Sequence, residues 1–336
     1  VAQVDVRRFG RFLWLVWGTG TGAALTEIGG FTFQSTTITL QATNSAAHAE
    51  IAINPITNTI YVINAISNNV AIIDGLTHAV SFVPTGASPY ALAINLATNK
   101  LYVADFDANM VTVFDGNKKT VTNIKVGTNP SAIALNYLTN KIYVANSGSN
   151  NVSVIDGTNN NVSTVRVGVY PSALAVDTVR NEVYVANTQG NNLTEIEGSN
   201  NSTQNIVVGS YPAHLAVNQA TNKIYVAFQI PGSIVVVDGA TKQTTAIPAG
   251  VFENELVVDE WRNEIYVADP TGNQLVVING ATNATTAFPG TGSYLWRIAV
   301  NPLTNEVYSA NLISGDATIY ASEPANLLLP ILELVQ

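Results

Sequence analysis

The sequence predicts an all-β protein, a seven-bladed β-propeller with four antiparallel strands per blade, and three observations carry that prediction. First, a tyrosine recurs at Tyr61, Tyr102, Tyr143, Tyr184, Tyr225, Tyr266 and Tyr308, giving five intervals of 41 residues and a last one of 42. Second, its flanking words recur with it: Thr98-Asn99-Lys100-Leu101-Tyr102-Val103-Ala104 returns almost unchanged at 139 to 145 and at 221 to 227. Third, each repeat holds four short apolar segments separated by turn-forming residues, and four strands in about 40 to 45 residues is the size of one propeller blade.

The third copy shows the elements in order. Ala132 to Asn136, Lys141 to Asn146, Asn151 to Asp156 and Asn161 to Val167 read as strands. Between them stand Thr139-Asn140, Ser147-Gly148-Ser149-Asn150 and Asp156-Gly157, with Gly168 and Pro171 ahead of the next copy. Asn tolerates left-handed backbone, Asp caps its own turn, and Gly and Pro punctuate chain direction. Strands such as Ile142-Tyr143-Val144-Ala145 are apolar without strict alternation, the pattern of a sheet buried on both faces. Such a sheet is unstable alone, and radial repetition buries each face against a neighbour. A linear β-solenoid fits less well, because its coils are shorter and lack Asp-Gly hairpin turns.

These residues resemble the YVTN-type β-propeller repeat family of bacterial and archaeal surface and secreted proteins. The likeness rests on Tyr143-Val144-Ala145-Asn146, on Ser149-Asn150-Asn151-Val152-Ser153-Val154-Ile155-Asp156, and on the approach from Val167-Gly168 to Pro171. It covers roughly 34 to 322, with departures at Phe228 and in the last copy, where Tyr308-Ser309-Ala310 and Ala321-Ser322 stand. The resemblance implies the fold and a surface or secreted location.

The last copy has strand segments at Ile298 to Asn301, Glu306 to Asn311 and Ala317 to Tyr320, then reaches Pro324 without a good outer strand. Counting back from Tyr61 places a β word at Thr37, Ile38, Thr39 and Leu40, which is expected to pair with the last blade and close the ring. The domain reading is an apolar N-terminal arm over 1–33, the propeller over 34–322 and an apolar C-terminal tail over 323–336. Arg7, Arg8 and Arg11 before an apolar run have the order of a secretory signal. The start at Val1, however, makes a retained segment downstream of a processing site the expectation, and the run is too short to span a membrane.

Composition narrows the partners. With 11% charged residues and a formal net charge of -9, the chain offers no basic field for nucleic acid. It has no cysteine, so neither disulfides nor thiolate chemistry enter. No cofactor or metal is expected. His48, His78 and His214 do not form a three-histidine zinc set, because His78 is expected at the opposite end of the propeller from the other two.

Four sets of residues enter the functional reading. Apolar ends call for cover, so Phe9, Phe12, Leu13, Trp14, Val16 and Trp17, with Leu327, Leu328, Leu329, Ile331 and Leu332, are the candidates for self-association. The position before each innermost strand carries Ser88, Asn129, Tyr170, Tyr211, Phe252 and Tyr294. Its aromatic arc, with Trp296, His214 and Arg297 nearby, is the ligand-face candidate, since aromatics give large contact area at small entropic cost. Three residues past each anchor tyrosine come Asn64, Asp105, Asn146, Asn187, Phe228, Asp269 and Asn311, read as turn-capping residues, with Asp105 and Asp107 a weak local cation site at best. Glu50, Glu253 and Glu255 are the acids nearest the channel.

The leading expectation is a secreted or cell-surface, non-enzymatic propeller that assembles with copies of itself into a filament or array. The alternatives are a monomeric glycan- or protein-binding propeller using the arc, and a metal-assisted lactonase-like hydrolase or lyase. Asn-x-Ser/Thr acceptors at Asn151, Asn161, Asn192, Asn200, Asn201 and Asn283 inform only if the source glycosylates.

Overall fold

The computed structural model describes residues 50–229, 234–249, 255–290 and 294–301, together with strands at 5–9, 12–19, 22–29, 35–39, 306–311 and 316–321. Among the described residues the chain is all strand and turn, arranged as seven sheets of four antiparallel strands and one of three. In the copy used above, the strands run Pro130–Asn136, Lys141–Asn146, Asn151–Asp156 and Val162–Arg166 in simple meander order, within two residues of the sequence reading.

Among the described residues there are eight sheets where the sequence reading expects seven blades, and the additional one lies towards the N-terminus. Asp5–Phe9, Phe12–Thr19, Gly22–Gly29 and Ser35–Thr39 form a sheet of their own. Its first strand packs against Ile51–Asn54 on one side and Leu295–Asn301 on the other. The innermost strands of the other blades, starting at Pro89, Pro130, Pro171, Pro212 and Leu256, continue the circuit, each packed on the next. No sheet closes on itself; the ring of sheets does.

This corrects two expectations. The strands described within 1–33 belong to the ring and not to an arm outside it: Phe9 ends the first strand, and Phe12, Leu13, Trp14, Val16 and Trp17 lie on the second. The closing strand is also misassigned. Thr37, Ile38 and Thr39 pair with Thr26, Leu25 and Ala24 instead of the last blade, and Leu40 lies outside the described residues. Pairing with a strand directly upstream closes a short loop, whereas pairing with Asp316–Ala321 would order a much longer one. The last blade shows three strands among the described residues, in keeping with its weak outer-strand sequence. The tail at 323–336, with Leu327, Leu328, Leu329, Ile331 and Leu332, lies outside the described residues.

The hydrophobic core sits between blades. Tyr102, Val111, Val113 and Ile124 of one blade pack with Ile142, Val144 and Ile155 of the next. Tyr143, Val152, Val154 and Val165 then pack with Val183, Val185 and Ile196. The anchor tyrosines fill these seams, and Tyr102, Tyr143, Tyr184 and Tyr225 are fully buried. Burial, the largest cause, pushes the Tyr102 and Tyr225 hydroxyls up to about 12. Outer strands such as Val162–Arg166 bury only one residue, which explains their Thr, Ser and Asn content.

Side-chain amides lace one end of the ring. Asn54 Nδ2 donates to Asn99 Oδ1 at 2.7 Å, Asn95 to Asn140 at 2.9 Å, Asn136 to Asn181 at 2.8 Å and Asn218 to Asn263 at 2.9 Å, each bond crossing to the next blade. Where Asp177 replaces the donor, Arg180 pairs with it at 2.9 Å and reaches the Gln219 carbonyl at 2.7 Å. The Asp-Gly turns close on the same asparagines, since Gly157 N–H donates to the Asn140 carbonyl at 2.9 Å. A Cβ on Gly157 would lie 2.4 Å from Asn140 Oδ1, so close approach is what requires glycine there.

Candidate functional site

The other end of the ring is built by a second amide relay. Asn150, in the turn after the second strand of its blade, holds left-handed backbone at φ 53°. Its side-chain oxygen accepts the N–H of Tyr170, at the entry to the next blade, at 2.9 Å. Asn68 does the same for Ser88 at 2.8 Å, Asn109 for Asn129 at 2.8 Å and Asn191 for Tyr211 at 3.0 Å. The carbonyls of Ser88, Asn129, Tyr170 and Tyr211 accept from Phe106, Ser147, Thr188 and Gln229 at 2.9 to 3.0 Å. Each entry residue is therefore clamped at both its N–H and its C=O.

The clamped residues all hold left-handed backbone, with φ 55° at Ser88, 52° at Asn129, 57° at Tyr170 and 58° at Tyr211, and the corresponding Tyr294 has φ 63°. Asn accepts that region through local hydrogen bonding, whereas a bulky side chain pays about 1–2 kcal/mol for it. Tyr170 and Tyr211 are nonetheless 40% and 43% exposed, so a large part of each residue faces solvent. Val169, beside Tyr170, is exposed as well, and Tyr294 is half-buried. Phe252 lies outside the described residues.

Two aromatic residues of this end escaped the sequence reading. Tyr90 follows the Ser88 entry position, Phe106 follows Asp105, and their rings lie 5.5 Å apart at 33°. The offset of two residues from the entry position hid Tyr90, although the Ser88-Pro89-Tyr90 word was a usable signal. His214 pairs with Ala227 on an innermost strand and is half-buried, while His78 occupies a turn at the opposite end, as expected. His48 lies outside the described residues. Leu295–Asn301 carries Trp296 and Arg297, the latter in register with Ala310.

Two of the acids expected near the channel, Glu50 and Glu255, bridge blades. Glu50 Oε2 accepts the Leu92 N–H at 2.8 Å, and Glu255 Oε2 accepts the Ile298 N–H at 3.0 Å. Each thereby satisfies the backbone of the next blade's innermost strand. Glu253 lies outside the described residues. No group of three His, Cys, Asp or Glu side chains suited to a metal ion occurs among the described residues.

The ring three residues past the anchor tyrosines does something other than cap turns in most blades. Asn64 donates to Asn69 at 2.8 Å, Asn146 to Asn151 at 2.8 Å and Asn187 to Asn192 at 2.7 Å, bridging the mouth of the hairpin. Asp269 combines both roles, accepting the Gly272 N–H and the Gln274 amide, each at 2.9 Å. Asp105 faces Met110 instead of an amide and is fully buried. Its Oδ2 accepts the Thr112 hydroxyl at 2.6 Å, and its Oδ1 has no hydrogen-bond partner. Burial outweighs the hydrogen bonds and raises its carboxyl to about 6. Asp107 accepts the Ser88 hydroxyl at 2.5 Å, so the two carboxylates take separate partners instead of converging on a cation.

No protein-family model matches the sequence, and no curated protein matches it either. The similarity to the YVTN-type repeat thus rests on the repeat residues themselves. Solved structures do resemble the fold. The crystal structure of the computationally designed Ika8 protein shares 13% identity at a TM-score of 0.74, covering 96% of each chain. Kuenenia stuttgartiensis hydrazine synthase shares 16% at 0.66, covering 84% of this chain and 99% of that one. Dihydro-heme d1 dehydrogenase NirN shares 13% at 0.68, covering 80% of this chain and 62% of its own. At these identities the likeness is one of architecture, and with the packed ring of sheets it makes the chain a β-propeller.

Proposed function

We propose that the protein is a non-enzymatic ligand-binding propeller of the extracellular or cell-surface kind, and that it holds a neutral saccharide chain on the arc of Tyr170, Tyr211 and Tyr294. The single observation that carries this reading is the left-handed backbone under three tyrosines, at φ 57°, 58° and 63°, in a position that other blades fill with Ser88 and Asn129. Backbone strain of this kind persists where function benefits from it. Half-exposed phenol rings offer flat apolar faces to the C–H side of a sugar, and the surrounding asparagines offer donors and acceptors to its hydroxyls.

The low charge of the chain favours a neutral ligand over a polyanion. The blade-bridging bonds of Glu50 and Glu255 support a structural role for those acids over a hydrolytic one. Self-assembly through both apolar ends loses half its basis, because the N-terminal residues expected to mediate it lie on strands of the ring.

Titration calorimetry against a panel of neutral oligosaccharides tests the reading. Tyr211→Ala is expected to weaken the best ligand by about tenfold or more, the scale of a lost aromatic anchor, without lowering the melting temperature. Equal affinity in the variant, or no binding across the panel, overturns it.

A further inference from the structure

The innermost strand ends its sheet, so its outer edge faces the channel of the ring with backbone groups that no neighbouring strand takes. One level of that edge recurs from blade to blade. Leu92, Ile133, Leu174, Leu215 and Ile298 each stand opposite the residue that follows the anchor tyrosine. In an antiparallel pair, hydrogen-bonded and non-hydrogen-bonded positions alternate. The position one residue earlier is the bonded one, since the Glu50 carbonyl accepts the Ile63 N–H at 3.0 Å and the Glu255 carbonyl the Ala268 N–H at 3.1 Å. The recurring level therefore turns its N–H away from the second strand and into the channel.

Two blades show what such an N–H holds. Glu50 Oε2 accepts that of Leu92 at 2.8 Å, and Glu255 Oε2 that of Ile298 at 3.0 Å, each carboxylate reaching across from the preceding blade. In three consecutive blades the position of these glutamates is filled by Ala91, Ala132 and Ala173, paired with Ala104, Ala145 and Ala186. A methyl group accepts no hydrogen bond. Ile133, Leu174 and Leu215, the residues that follow these alanines around the ring, thus present to the channel the donors that elsewhere hold a carboxylate. They are also only half-buried, whereas Leu92 and Ile298, covered by their glutamates, are buried.

We propose that this arc of the channel, at the N–H groups of Ile133, Leu174 and Leu215, binds a small dicarboxylic acid, whose carboxylates take the places that Glu50 and Glu255 fill in their own blades. Equivalent places on adjacent blades suit two carboxylates on one short chain, and a hydrogen bond to a charged acceptor is about twice as strong as one to a neutral acceptor. Glu50 bounds the arc on one side, and His214, at the alanine position of the blade after Ala173, bounds it on the other. The formal net charge of -9 is screened beyond about 8 Å at physiological salt, whereas an N–H in contact with its acceptor is not. The site uses none of the tyrosines of the saccharide reading and stands if that reading fails.

Titration calorimetry of the full chain with succinate, and with succinamide as its uncharged counterpart, tests the proposal: succinate is expected to bind and succinamide is not. Ala132→Gln sets a side-chain oxygen in the middle place, as Glu50 does in its own blade, and should weaken succinate by about tenfold or more while the melting temperature holds. The double substitution Ala91→Gln and Ala173→Gln fills the two flanking places and should do the same even if Ala132→Gln does not fold. Tyr211→Ala, which removes a ring of the saccharide arc, is expected to leave succinate binding unchanged. The proposal is overturned by no succinate binding up to ~10 mM, by equal binding of succinamide, by full affinity in a folded glutamine variant, or by loss of succinate binding in Tyr211→Ala.

Discussion

The side-chain oxygen of Asn150 accepts the backbone N–H of Tyr170 at 2.9 Å, and through that bond one blade fixes the backbone conformation at the entry to the next. The same relay runs from Asn191 to Tyr211. Position and strain of the arc are thus properties of neighbouring blades taken together.

Replacing a strained tyrosine by the residue another blade uses should therefore stabilise the fold. Tyr211→Asn, which copies Asn129, is expected to raise the unfolding free energy by about 0.5–1 kcal/mol, half of the left-handed penalty, while abolishing saccharide binding. Urea denaturation and calorimetry on the same preparation check both halves. A loss of stability would show that the ring packs more than its exposure indicates.

Removing the relay should act at a distance. Asn191→Ala takes away the acceptor for Tyr211 and leaves alanine in the left-handed backbone that Asn191 holds at φ 56°. A cost of about 2 kcal/mol is expected from the lost hydrogen bond and the added strain. Ligand affinity should fall although the substituted side chain bears no ring. Thermal unfolding and titration calorimetry read the two effects.

Asp105 gives a pH dependence of defined sign. Its carboxyl is raised to about 6 by burial, so the folded protein holds this proton more tightly than the unfolded chain does. The favourable state is the protonated one below the ordinary carboxylate range, and its advantage is lost as pH rises towards about 6. The loss amounts to about 3 kcal/mol. Asp105→Asn, which places at this site the amide found at Asn64, Asn146 and Asn187, should add stability at pH 7 and little at pH 4. The difference between variant and parent unfolding free energies at the two pH values isolates this group from the exposed carboxylates.

A second buried carboxylate, that of Glu195, has a cationic partner. Lys242 makes a short ion pair with Glu195 across a blade seam, and its ammonium lies 5.7 Å from the centre of the Tyr184 ring. The Glu195 side chain is only 9% exposed. Lys242→Met strands that carboxylate and should cost about 3 kcal/mol or more. Adding Glu195→Gln should recover part of it in a double-mutant cycle.

Much of the molecule was legible from residues alone. The tyrosine spacing located every strand of the blade that runs from Pro130 to Arg166, because packing between blades demands the same buried ring at the same depth each time. The asparagine turns were legible too, since left-handed backbone selects that residue. The arc was readable as a column of aligned positions, but its strain was not. The φ of Tyr170 is set by Asn150 of the preceding blade, and no property of the Tyr170 segment announces it.

What the sequence determined by itself was the local unit: its period, its four strands, its turns and its two apolar faces. The tertiary structure alone decided how many units make the ring. Asp5–Phe9 and Phe12–Thr19 leave two residues between paired ends, lack the Thr-Asn-Lys-Ile-Tyr words, and so resemble no other repeat. They are a blade because the first of them packs on both Ile51–Asn54 and Leu295–Asn301. A strand's propensity is written in its own residues, but the gap it fills is defined by surfaces brought together from opposite ends of the chain.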